Sequence, residues 1–120
     1  MMEKDVYGIE LIIDMHGCDT HTFTKENLEK YFVDLCDSIG MKRHGKPLFW
    51  HDNSNTPHLK GVSAIQFIET SNIVVHALEI LESTFVNIFS CKEFDTKKAE
   101  AFTKNFFKAK ESVSKVIERK

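Results

Sequence analysis

In the stretch ETSNIVVHALEI, Glu69 to Ile80, a serine and a histidine five residues apart, Ser71 and His76, interrupt an otherwise strand-like apolar run. A hydroxyl and an imidazole are the usual makings of a nucleophile and its proton acceptor, because imidazole titrates near neutral pH. Two further reactive residue types flank them: Ser63, eight positions before Ser71, and Cys91, fifteen positions after His76. Taken singly, each has an ordinary structural reading. Ser63 reads as a strand serine, His76 as a satisfied strand histidine and Cys91 as a small core residue. Chemistry therefore requires that the fold bring the set together, which is a matter of the elements that carry it.

A second cluster, HGCDTH, places His16, Cys18, Asp19 and His21 within six residues. All four can ligate a metal, but the paired spacing of zinc modules is missing, and no metal is expected there. His51 and His58, on a long polar connection, are weaker candidates still.

The elements read as follows. VYGIELIIDM (6–15) is β-branched and aliphatic and stops at His16-Gly17, as a largely buried strand does. Thr24 can cap KENLEKYFVDLCDSIG, where Leu28, Tyr31, Phe32, Leu35, Cys36 and Ile39 recur at helical spacing before Gly40. Glycines, prolines and asparagines punctuate KRHGKPLFWHDNSNTPHLKG, a long connection with a short strand around Phe49 and Trp50. Three strand-like runs follow, VSAIQFIE, SNIVVHAL and STFVNIFSC, with separations too short for helical crossovers, so they should pair antiparallel. Asp95 then caps TKKAEAFTKNFFKAK, with Ala99, Phe102, Phe106 and Ala109 as its apolar stripe. ESVSKVIERK is expected to extend that helix through Val113, Val116 and Ile117, or to fray. The fold class is thus α/β in the α+β sense: a two-layer sandwich of an antiparallel or mixed sheet with two helices on one face.

At 120 residues the chain suits a single domain spanning 1–120. A formal charge of −2 gives a phosphate backbone or an anionic membrane no electrostatic attraction, so neither nucleic acid nor membrane is an expected partner. Three cysteines, no basic-apolar leader and no run of 18 apolar residues fit a cytoplasmic protein with free thiols.

The order of elements and the register of Ser63, Ser71, His76 and Cys91 resemble the small prokaryotic S-adenosylmethionine decarboxylases, which process themselves and use a pyruvoyl group. The resemblance runs from GIELIIDMHGCD through GVSAIQFIETSNIVVH to NIFSCKEFD and the closing helix, about 100 residues, and it accounts for Cys18-Asp19 without a metal. It implies that the Ser71 hydroxyl attacks the Thr70 carbonyl, converting the peptide bond to an ester. β-Elimination then cuts the chain into residues 1–70 and 71–120 and leaves a pyruvoyl cofactor where Ser71 stood. In the family's scheme that ketone forms a Schiff base with the amine of an amino-acid-type small-molecule substrate and takes up electrons as carbon dioxide departs. By the same carry-over, Ser63 and His76 assist processing, His76 by taking the Ser71 α-proton, and Cys91 protonates the product carbon. Family members of this size are dimers whose sites draw on both subunits, which implies a homodimer here.

The chain also departs from the family. The cleavage point reads Thr70-Ser71-Asn72 instead of Glu-Ser-His, and the Trp-Pro-Glu segment associated with the substrate's ribose is replaced by ALEILES, with Glu79 and Glu82 near but not in place. Trp50 is a candidate for stacking on an aromatic base. S-adenosylmethionine in polyamine synthesis is the expected substrate. Arginine or ornithine decarboxylation, or an unprocessed homologue that binds without catalysis, are the alternatives. Residues 71 and 76 have opposite parity, so a regular strand would direct them to opposite faces. A turn or bulge after FIET should relieve this and strain an exposed Thr70 carbonyl.

Overall fold

Alternating burial along four consecutive strands shapes the molecule. In a computed structural model that describes residues 5–120, the chain forms β1 (Gly8–His16), a short 3-10 turn at Thr20–Thr22, α1 (Lys25–Ile39), β2 (Leu48–Asp52), β3 (Gly61–Ile68), β4 (Ser71–Leu78), β5 (Ser83–Ser90), α2 (Thr96–Phe107) and β6 (Glu111–Arg119). Among the described residues, the six strands make one sheet in the order β2-β3-β4-β5-β1-β6, and every neighbouring pair is antiparallel.

One face of the sheet is apolar. Leu11, Ile13 and Met15 of β1, Val62, Ala64 and Ile68 of β3, Ile73, Val75 and Ala77 of β4, and Val86 and Ile88 of β5 are buried there under α1 and α2. The expected caps hold the helices in place. Thr24 Oγ1 accepts the Asn27 N–H at 3.1 Å, Gly40 closes α1 in a left-handed conformation at φ 69°, and the Asp95 carboxylate accepts the Lys98 N–H at 3.0 Å. Between the helices, Tyr31 packs on Phe32, Phe102, Phe106 and Phe107, and its hydroxyl meets that of buried Thr103 at 2.7 Å.

Two expectations are corrected. ESVSKVIERK neither extends α2 nor frays: it is β6, paired with β1 along its full length from Gly8↔Arg119 to His16↔Glu111. Val113, Val116 and Ile117 mimic a helical repeat, but Lys108 turns left-handed at φ 52° and ends α2, and the freed chain satisfies the outer backbone edge of β1. The stripe of α2 is also shifted. Ala99, Thr103 and Phe107 are its fully buried positions, while Ala109 lies beyond the helix and Phe102 and Phe106 flank the core. Thr103 belongs inside because Tyr31 supplies the partner its hydroxyl requires.

Among the described residues, the opposite face of the sheet bears no helix. It carries Glu10, Ser63, Ile65, Phe67, Asn72, His76 and Phe89, with Trp50 beside them at 73% exposure. No helix among the described residues is long and apolar enough to cross a membrane.

Candidate active site

The Thr70–Ser71 peptide lies at the tightest turn in the sheet. Ile68 pairs directly with Ser71, so β3 and β4 are joined by only Glu69 and Thr70, and the pairing continues without a bulge. The expected turn is therefore present, but the strained, exposed carbonyl is not. Neither turn residue is left-handed; among the described residues the non-glycine positions with positive φ are Glu82 and Lys108. The Thr70 carbonyl accepts the Cys91 backbone N–H at 3.0 Å, so it is polarised and held in place.

Several residues outside the predicted set complete this end of the sheet. Ser71 Oγ accepts the Asn72 side-chain amide at 3.2 Å, which leaves its own proton uncommitted. Ser90, fully buried at the end of β5, meets Thr70 Oγ1 at 2.8 Å. Gly8 of β1 allows the approach that seats Cys91: a Cβ there would collide with the Ser90 carbonyl oxygen and come within 2.9 Å of the Cys91 Cα. The sequence signal for Ser90 was its position just before Cys91. Gly8 had only its place at the head of a strand.

Ser63 and His76 form a second centre. They are direct partners across β3 and β4, with Ser63 Oγ 2.9 Å from His76 Nδ1 on the uncovered face. Leu48, Phe49, Trp50, Ala64, Ile65 and Val74 complete a largely apolar cavity of about 330 Å³ around them. The Trp50 indole thus sits in the same recess as the histidine, the arrangement a planar aromatic ligand would use.

The two centres are separate within one chain. Ser71 and His76 lie at opposite ends of the same regular strand, about 16 Å apart at ~3.3 Å per residue. The burial alternation puts Ser71 in the row of Ile73, Val75 and Ala77, and His76 in the row of Asn72 and Val74. The fold thus brings Ser71 to Cys91, and Ser63 to His76, but neither pair to the other.

Elsewhere the polar clusters resolve into structural roles. His16 Nδ1 lies 2.8 Å from Ser83 Oγ, Cys18 is buried, and Asp19 accepts from the His21 backbone, hydrogen bonds that hold its carboxyl below the usual range. Among the described residues no group of three or more His, Cys, Asp or Glu is placed to hold a metal. Burial pushes the Cys18 thiol up and the Cys36 thiol to about 11, whereas Cys91 is half-buried and is the most accessible of the three free thiols. Glu79 and Glu82 occupy the turn after β4, at the His76 end of the sheet.

Residues 9–120 match the model of the S-adenosylmethionine decarboxylase family. The chain belongs to that family. The solved structure of the adenosylmethionine decarboxylase from Aquifex aeolicus VF5 superimposes with a TM-score of 0.80 at 14% identity, covering 95% of this chain and 91% of that one, which establishes a shared fold. No curated protein matches the sequence. S-adenosylmethionine decarboxylases use a pyruvoyl group, and the residues here fit one made from Ser71. The residue stands first in its strand with an uncommitted hydroxyl proton, next to a carbonyl that already accepts the backbone N–H of Cys91.

Proposed function

We propose that the chain is a self-processing, pyruvoyl-dependent decarboxylase of S-adenosylmethionine, serving polyamine synthesis and active as a homodimer. The observation that carries this reading is the hydrogen bond from the Cys91 N–H to the Thr70 carbonyl, the group that processing must attack. When Ser71 Oγ bonds to the Thr70 carbonyl carbon, the carbonyl oxygen gains negative charge directly facing that N–H. The carbon–nitrogen bond to Ser71 then breaks, its nitrogen takes up the hydroxyl proton, and an ester replaces the amide.

Elimination requires a base at the Ser71 α-proton. The His76 of the same chain is at the far end of the strand, so the base is His76 of the partner subunit, oriented by the partner's Ser63. Loss of the proton expels Thr70 as a carboxylate with cleavage of the Ser71 Cβ–O bond, and water replaces the Ser71 nitrogen, which departs as ammonia. The ketone so formed supplies an electron sink for the carbon that loses carbon dioxide. Cys91, anchored by its own backbone at the cleavage point, holds the proton that the product carbon receives. The recess around His76 and Trp50 accepts the flat base of the substrate, and in the homodimer one subunit's recess serves the other's cleavage point.

Purified protein given carboxyl-labelled S-adenosylmethionine, arginine or ornithine tests the reading. Labelled carbon dioxide is expected from S-adenosylmethionine, and Ser71→Ala is expected to abolish it. Release from arginine or ornithine alone would reassign the substrate, and release from none would leave a binding protein without catalysis.

A further inference from the structure

The mechanism above uses the Thr70 carbonyl and the Ser71 hydroxyl but leaves the Thr70 side chain idle. The structure does not leave it idle. Ser90 Oγ is fully buried, accepts the Lys92 backbone N–H at 2.9 Å and lies 2.8 Å from Thr70 Oγ1; the Lys92 carbonyl at 2.9 Å and Met41 Sδ at 3.9 Å are its other neighbours. Thr70 Oγ1 in turn lies 3.6 Å from Met41 Sδ. One proton per hydroxyl satisfies the chain Lys92 N–H to Ser90, Ser90 O–H to Thr70, Thr70 O–H to the Met41 sulfur.

We infer that Ser90 and the Thr70 hydroxyl form a clamp that positions the scissile carbonyl for self-cleavage. Thr70 is gripped at two points from one short segment: its carbonyl by the Cys91 N–H and its side chain by Ser90, the preceding residue. A threonine pinned at its hydroxyl has one side-chain rotamer, and with the carbonyl bond this fixes the rotation of the Thr70–Ser71 peptide plane. Attack by the neighbouring hydroxyl depends on that rotation, because the oxygen must approach the carbonyl face while the developing oxyanion stays on the N–H. Ser90 touches neither reacting atom, so it is a positioning residue, and the Thr70 hydroxyl becomes an asset to cleavage here. This inference rests on the proposed self-processing and adds the clamp to it.

The test is a time course of chain cleavage by intact mass, starting from freshly synthesised precursor. Wild type, Ser90→Ala, Thr70→Val and the double variant are compared, with Ser90→Thr and Thr70→Ser as hydroxyl-retaining controls. Each single loss is expected to slow cleavage about tenfold or more. The double variant should be scarcely slower than the slower single one, since the two hydroxyls act as a unit. The hydroxyl-retaining variants should cut near the wild-type rate.

Repeating the series in a His76→Ala background isolates the acyl shift. There the fraction of chain cleaved by hydroxylamine reports ester, and it should fall with Ser90→Ala and with Thr70→Val while circular dichroism and thermal midpoint of the folded precursor stay near those of the parent. A merely structural role would lower the midpoint and leave the ester fraction of folded protein unchanged, which overturns the inference. Variants that cut as fast as a cutting wild type also overturn it and leave self-processing intact. A wild type that never cuts overturns both.

Discussion

At the scale of the residue, the proposed mechanism gives Cys91 two contributions that can be separated. Its backbone N–H holds the Thr70 carbonyl, and its thiol is half-buried. Replacing the side chain leaves the backbone donor in place, so Cys91→Ala should still cut itself at close to the wild-type rate. Decarboxylation should then fall by roughly 10²- to 10⁴-fold, the contribution typical of a positioned acid, as measured by labelled carbon dioxide per cleaved chain. Equal loss of cleavage and decarboxylation would assign the thiol to processing. Ser63, Ser71, His76 and Cys91 stand out in the sequence as candidates by type and spacing. Thr70 and Ser90 were not legible as a pair, because a hydrogen bond between side chains twenty positions apart leaves no periodic trace.

Elements were legible where local chemistry and burial agree. α1 carries its cap, its stripe and its terminal glycine in the sequence, and it forms between the residues those signals mark. β3, β4 and β5 were visible as β-branched runs with short links and formed as an antiparallel meander. β6 was misread because an edge strand lies mostly in solvent and needs no alternation; its pairing is dictated by the open side of β1, which no local window contains. Thr103 was passed over for the same reason: it is polar in the sequence and buried in the fold only because Tyr31, 72 residues away, answers its hydroxyl. The parity of Ser71 and His76, by contrast, was a correct reading. The regular register of β4 leaves the two on opposite faces, and the hairpin turn does not relieve it.

At the scale of the whole molecule, that parity becomes an argument about assembly. In the proposed mechanism, a base about 16 Å from the proton it must take cannot act within its own chain, whereas an uncovered sheet face with Trp50, Ile65 and Phe67 exposed gives a second copy somewhere to pack. Mixing should reveal this. Ser71→Ala keeps His76, and His76→Ala keeps Ser71; each alone should stay whole, and together the His76→Ala chains should be cut while the Ser71→Ala chains are not. Cleavage that depends only on the His76 of the same chain would refute the shared site. The central claim is that Ser71 is consumed by its own protein, and the intact mass of purified wild-type chain addresses it most directly. The account predicts two fragments, residues 1–70 and residues 71–120, the second blocked at its amino terminus and reactive toward carbonyl reagents because a ketone has replaced the amine. A single unbroken chain of 13.9 kDa after prolonged incubation would contradict it.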